Sequence, residues 1–371
     1  MERKRPHSPS ASNSPRLTSH RRSSPSSKVC LPVWCEIDDG EPSCLDFYVF
    51  DLEQKPKEDD DEGFIRVKPA LRLKNIYDRF CLLNSEIYMF ASSLFPDEPV
   101  ESISVRRYNL WGDGSCNGTF YMNGFKRMAC AIATPDRRKM LIFSREIHAG
   151  DDDSDFIDFE LFDPITKTFE QLPALMPEGF LDVLSVDSYG FLDDDTFLIQ
   201  IDDERRTMFS LDLVGPPEDR GWVVFGHWGV PTDYMFSVVG RSLLFSSNAY
   251  AAYDFPKGGL VYEVPGPHTA RPREWFHQGD QRLTTFLDEG KCRGDEGHRL
   301  CVLEVNYDEP FFEQPFLEYP QVHIAVYELK VTKCCGQQQR PEEPAAVLRK
   351  FELDSDTYFL FLPDKLYPLS D

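Results

Sequence analysis

Residues 159–173, with the sequence FELFDPITKTFEQLP, carry the clearest structural signal in the 371-residue chain. Two short apolar segments flank the turn Asp163-Pro164-Ile165-Thr166-Lys167. Proline fixes φ in a turn, and an aspartate in front of it can accept hydrogen bonds from the backbone amides that follow. The stretch therefore predicts an antiparallel hairpin of two short strands.

The first half of this signature recurs along the chain. In each instance a short apolar run ends in an aromatic residue or Leu, and an acidic or amide residue follows. The central residues are Asp51, Asn109, Asp163, Asp212, Asp254 and Glu328, at intervals of 58, 54, 49, 42 and 74 positions. Four of the five intervals lie near the roughly 40–50 residues of a four-stranded repeat. The spacing predicts repeated antiparallel units, of which six are countable.

The segments around the central residues favour strands. Short apolar runs occupy 86–90, 139–143, 196–199, 242–245 and 300–303, and further runs follow at 168–173, 221–225 and 260–265. Runs of this length between turn residues are typical of strands buried on both faces. Because no stretch shows the apolar spacing of a helix, we expect an all-β chain.

The segment 159–173, and more loosely 253–265, resembles the kelch repeats of divergent plant kelch-like propellers of the galactose-oxidase type. The resemblance implies a single β-propeller of about six or seven four-stranded blades over residues 29–371. The kelch Gly-Gly doublet is absent from its usual place, since Gly258-Gly259 follows the aromatic strand instead of preceding it. Many relatives carry an F-box, and none is recognisable here. Two β-sandwiches are the alternative all-β fold.

Closure of a propeller ring removes its exposed strand edges. We expect the C-terminal run at 357–362, with the sequence TYFLFL, to pair with strands of the first unit for this reason.

Charge divides the chain into two parts. The net charge is −23, yet residues 1–28 hold seven Lys or Arg against the single acid Glu2. This Ser-, Pro- and Arg-rich segment predicts a disordered tail, with a nuclear signal, a transit peptide or a phosphorylated segment as open interpretations. The strongly acidic remainder would repel a phosphate backbone, so we expect no nucleic-acid binding by the folded part.

Cysteine usage and hydropathy indicate a cytoplasmic or nuclear protein. None of the ten Cys forms a C-x-x-C pair, and no apolar run reaches the length of a membrane span. The thiols are best interpreted as reduced. We expect a monomer without membrane contact.

No pattern of catalytic or metal-binding residues stands out. The run Asp151-Asp152-Asp153-Ser154-Asp155 begins like a calcium loop, but Phe156 and Phe162 occupy the positions that require Gly and Glu. The His residues of the body show no metal-ligand spacing. The sequence therefore predicts no catalytic residue, no metal and no cofactor.

The best surface candidate is a basic and aromatic segment in the acidic body. It holds Trp275 beside Arg271, Arg273 and His277, residue types that are frequent in protein interfaces. The expected function is a non-enzymatic protein-interaction module, either a scaffold or a substrate-recognition propeller. The alternative is an enzyme that uses the propeller channel for a small-molecule or sugar-related reaction.

Overall fold

The computed structural model describes residues 28–37, 41–51, 54, 64–74, 79–90, 103–148, 155–175 and 183–227. Beyond these it describes the backbone of the strands between residues 236 and 368, and Leu369. The residues 271–277 that the sequence predicted as a surface site, residues 151–154 of the acidic run and residues 1–27 of the predicted tail lie outside the described residues. Lys28, the last residue of the predicted disordered tail, instead begins the first strand.

The described residues form β-strands and one 3-10 turn, Pro217–Asp219, and contain no α-helix. Six sheets follow one another along the chain, each named here by its number. Sheet 1 contains β1 (Lys28–Ile37), β2 (Glu41–Asp51), β4 (Pro69–Lys74), β26 (Tyr358–Phe361) and β27 (Tyr367–Pro368). Sheet 2 contains β5 (Arg79–Leu83), β6 (Glu86–Phe90), β7 (Ser104–Asn109) and β8 (Gly118–Tyr121). Sheet 3 contains β9 (Ala129–Ala133), β10 (Met140–Ser144), β12 (Phe159–Asp163) and β13 (Thr168–Gln171).

Sheet 4 contains β11 (Glu146–His148), β14 (Val183–Phe191), β15 (Thr196–Ile201), β16 (Thr207–Asp212) and β17 (Trp222–His227). Sheet 5 contains β18 (Phe236–Val239), β19 (Leu243–Ser246), β20 (Ala251–Asp254) and β21 (Gly259–Glu263). Sheet 6 contains β22 (Gln281–Lys291), β23 (His298–Tyr307), β24 (Gln321–Val331), β25 (Ala346–Leu353) and β3 (Phe64–Val67). The predicted all-β class is confirmed.

The repeated acidic or amide residue marks one position in the sheets. Each sheet has an antiparallel core of four strands, and the third strand ends at Asp51, Asn109, Asp163, Asp212 or Asp254 in sheets 1 to 5. In sheet 6 the sixth member, Glu328, lies within the third strand, β24. In sheets 1 to 5 the sequence repeat therefore corresponds to one structural repeat, with the central residue at the end of the third strand.

Consecutive sheets pack face to face, which explains the continuous apolar runs. In β10, Met140 and Ile142 belong to a core shared with sheet 2, whereas Leu141 and Phe143 belong to a core shared with sheet 4. Because side chains alternate along a strand, a sheet with a core on each side needs apolar residues at every position. The predicted burial on both faces is confirmed for β6 in sheet 2 and for β10 in sheet 3.

The first and the last described strands meet in sheet 1. Strand β26 pairs with β1 through Trp34 and Phe361, and β27 pairs with β1 at Val29 and Pro368. The predicted pairing of the C-terminal run with the first unit is confirmed. A second crossover was not predicted: β3 leaves the first unit and pairs in parallel with β25 of sheet 6.

Candidate interaction surface

A shared turn follows the third strand in sheets 2, 3 and 4. In each sheet a side-chain oxygen of the central residue accepts a hydrogen bond from the amide two positions later, at 2.8 Å. The three acceptors are Asn109, Asp163 and Asp212. Asp163 also accepts from the amide of Thr166 at 3.2 Å, as its predicted turn chemistry requires. The side-chain oxygen holds the turn in one conformation.

The residue whose backbone amide donates this hydrogen bond carries a large exposed apolar side chain in all three turns. The exposed fractions are 56% for Trp111, 80% for Ile165 and 59% for Val214. The first of these side chains is oriented by a bond of 3.4 Å from its indole N–H to the Ser85 hydroxyl. Three consecutive sheets thus present an apolar side chain at the same position of the repeat. We call these three residues the hairpin surface.

Contacts between the sheets place the three turns on one face. The turn between β5 and β6 joins the turn between β9 and β10, because the Asn84 side chain donates to the Arg137 carbonyl at 3.3 Å. Sheets 3 and 4 are joined by Arg220, which donates to Glu170 at 2.6 Å. Since all the core strands alternate in direction, the turns after the first and third strands share one end of every sheet.

Carboxylates crowd the sheet 4 part of this face. Asp193 accepts from the amides of Asp195 and Thr196 and so forms the turn between β14 and β15. Partial desolvation, together with repulsion from neighbouring carboxylates, raises the pKa of Asp195 above its usual value. Six acids occupy the turns of sheet 4 at this end: Asp193, Asp194, Asp195, Asp212, Glu218 and Asp219. The surface beside Val214 is consequently both apolar and strongly anionic.

The opposite end of sheet 3 holds a buried ion pair. The Lys126 ammonium donates to Glu160 at 2.5 Å and to the Gly124 carbonyl at 3.1 Å, and both charged side chains are 0% exposed. The second Glu160 oxygen accepts from the amide of Asn123 at 2.9 Å. Desolvation lowers the pKa of Lys126 despite the attraction of Glu160. Each charge has its partners within the protein, so this pair is suited to holding the segment before β9 against β12.

Gly124 allows this segment to approach sheet 3. A Cβ at this position would lie 2.7 Å from a side-chain carbon of Ile157 and 2.8 Å from the Asp155 carbonyl oxygen. A larger residue would therefore force the segment away from its partners.

Two further charged residues, Asp158 and Arg127, lie beside the ion pair, together with the ring of Phe156. The Arg127 guanidinium lies 3.7 Å from the centre of the Phe156 ring. One Asp158 oxygen is buried without a hydrogen-bond partner, and burial raises the pKa of this carboxyl group above its usual value. No three His, Cys, Asp or Glu side chains in the described part of the chain come together in a way that could hold a metal ion.

None of the sequence-predicted surface residues lies in the described part of the chain. Trp275, Arg271, Arg273 and His277 lie outside the described residues, and their proposed role stays a prediction. Sequence reasoning missed Trp111, Ile165 and Val214, although each lies two positions after a central residue of the repeat.

A second tryptophan, Trp222, has a structural role. It begins β17 and packs its ring 4.8 Å from that of Phe159, with its indole N–H donating to the Pro173 carbonyl. It therefore belongs to the seam between sheets 3 and 4.

Comparison with known proteins gives weak likenesses only. No family model and no curated protein matches the chain. A structure reported as a "putative 6-phosphogluconolactonase" from Bacteroides uniformis aligns with 87% of this chain and 99% of its own, at 10% identity and a TM-score of 0.35. A eukaryotic initiation factor aligns with 82% and 96%, at 6% identity and a TM-score of 0.27. The tricorn protease aligns with 88% and 30%, at 11% identity and a TM-score of 0.22.

Scores this low carry no argument about fold or function. Among the described residues there is also no helix of the length and apolarity that crossing a membrane requires.

Proposed function

We propose that the chain is a single kelch-like β-propeller that binds another protein through its hairpin surface, without catalysing a reaction. The propeller arrangement is supported by contacts between the first strands of neighbouring sheets, namely β5 with β9, β14 with β18, and β18 with β22. The addition of β26 to sheet 1 supports ring closure, because it supplies that sheet with a strand from the far end of the chain. Six sheets correspond to six blades.

The observation that carries the interaction function is the repeated exposure of Trp111, Ile165 and Val214. Burial of apolar surface is the main favourable term in association, and Trp is enriched among residues that dominate interface energies. Since the Asx bonds already hold the turns, binding would cost less conformational entropy than it would in a mobile loop. A rigid row of apolar side chains on consecutive turns is therefore suited to recognising a partner.

The test is recovery of a partner by the tagged full-length protein from the cells that produce it. We expect one protein to co-purify stoichiometrically with the wild type and with the control Val183→Ser, whose exposed side chain lies at the opposite end of sheet 4. The double variant Ile165→Ser/Val214→Ser should lose most of that partner.

Equal recovery of the partner by all three proteins would mean that the partner does not bind the hairpin surface. If none of them recovered a stoichiometric partner, the interaction function itself would lose its support.

A further inference from the structure

The chain enters sheet 1 at the end where the hairpin surface lies. Strand β1 begins at Lys28, which pairs with Asp51, the last residue of the third strand β2. Asp51 is the member of the repeat that corresponds to Asp163 in sheet 3. Residues 1–27 therefore join the folded body on the face that carries Trp111, Ile165 and Val214 in the next three sheets.

The preceding segment is long enough to reach that surface. At no more than about 3.3–3.6 Å per residue, 27 residues span up to roughly 90–97 Å. Packed sheets are about 10 Å apart, so the turns of sheet 4 are a few tens of ångströms from sheet 1.

Charge and composition favour contact between the two. Residues 1–27 hold six basic side chains against Glu2, a net charge of +5: Arg3, Lys4, Arg5, Arg16, Arg21 and Arg22. The turns of sheet 4 offer six carboxylates, and Asp195 among them has its pKa raised partly by the other acids. A cationic segment would relieve that repulsion. Pro6, Pro9, Pro15 and Leu17 supply apolar groups for the exposed Trp111, Ile165 and Val214.

We infer that residues 1–27 bind the hairpin surface of their own chain and compete there with any protein partner. This inference rests on the proposed function, because it uses the same hairpin surface and identifies residues 1–27 as the segment that covers it. Access to the surface would then depend on ionic strength and on the charge of the tail, because the attraction between exposed charges is screened by salt.

The test uses the full-length protein and a zero-length carbodiimide, which joins an amine to a carboxylate in direct contact. Lys4 is the only lysine in residues 1–27, so its cross-links report where the tail lies. At low ionic strength we expect Lys4 to be joined mainly to the sheet 4 acids Asp194, Asp195, Asp212, Glu218 and Asp219. The yield should fall at least five-fold in 0.5 M salt.

Variants separate specific binding from general attraction. Ile165→Ser/Val214→Ser keeps every carboxylate, yet it should reduce the Lys4 cross-links several-fold, whereas Val183→Ser should leave them unchanged. Ser8→Glu/Ser14→Glu/Ser24→Glu lowers the tail charge from +5 to +2 and should also reduce them.

Three results would overturn the inference: cross-links spread over the whole body, cross-links that persist in Ile165→Ser/Val214→Ser, or cross-links that join two molecules. A mixture of ¹⁴N- and ¹⁵N-labelled protein identifies the last case. Because the readout needs no partner, loss of the cross-links and loss of partner recovery are separate outcomes.

Discussion

Removing the Lys126 ammonium should be among the most destabilising single changes in sheet 3. Lys126 and Glu160 are both fully buried, and the ammonium is the cation that Glu160 contacts, at 2.5 Å. Lys126→Met keeps a side chain of similar length but removes the positive charge. Glu160 then retains its hydrogen bond from the Asn123 amide and has no cation to neutralise it. Breaking a buried pair in this way costs about 3–5 kcal/mol, because an uncompensated charge stays in the interior. That is a large part of a typical stability of about 5–15 kcal/mol.

A double-mutant cycle isolates the interaction between the two charges. In Lys126→Met/Glu160→Gln the glutamine oxygen can still accept from the Asn123 amide, and no charge remains. The Gly124 carbonyl loses its donor, which costs about 1–3 kcal/mol if it stays buried. The double variant should therefore be more stable than Lys126→Met, with a coupling of about 2 kcal/mol or more between the two positions.

Urea unfolding followed by tryptophan fluorescence gives the measurement, with free energies compared at an unchanged m-value. Arg138→Met is the matched control, because Arg138 is 72% exposed and lies 3.7 Å from Asp136. Its loss should cost at most about 1 kcal/mol. If Lys126→Met were no more destabilising than Arg138→Met, the ion pair would not be what holds the segment before β9.

Two further changes test the turns and the buried carboxyl group. Asp163→Ala removes the acceptor for the amides of Ile165 and Thr166 and should cost about 0.5–2 kcal/mol of unfolding free energy, as at a helix N-cap. Asp163→Asn keeps a side-chain oxygen and should retain most of that stability. Equal losses for the two variants in urea unfolding would contradict the role of this oxygen. Burial raises the pKa of Asp158 above the usual 3.8, so the folded state holds the carboxyl proton more tightly than the unfolded state. The stability of the fold therefore falls as the pH rises from about 4 through the raised pKa. Asp158→Asn should therefore gain stability relative to the wild type between pH 4 and pH 7, and an unchanged difference across that range would refute the assignment.

The strand units could be predicted because one feature of the sequence reports two physical requirements at once. The apolar run before Asp163 is needed for a strand with a core on both faces, and Asp163 itself is needed to accept the amides of the turn. Both requirements are local, so they recur wherever a third strand turns into a fourth. The same residue types therefore mark Asp51, Asn109 and Asp212.

The features that sequence reasoning missed depend on residues far apart in the chain. Glu160 looks like an exposed residue between Phe159 and Leu161, and only the approach of Lys126 explains its burial. Asp46 lies likewise in an apolar strand and is fully buried, with Arg72 donating two bonds of 2.7 Å to it. The parallel pairing of β3 with β25 joins segments almost 300 positions apart, which no local pattern reports.

The repeat that specifies the fold also specifies where its exposed apolar residues lie. An Asx bond fixes the conformation of the turn by its backbone, so it places no demand on the side chain of the residue whose amide it holds. That position is free to carry any side chain, and in sheets 2, 3 and 4 it carries Trp111, Ile165 and Val214. A solvent-exposed turn needs no apolar residue for its own stability, because those side chains are left in water. Three such residues at one repeated position are therefore better explained by a contact that covers them than by the requirements of the fold.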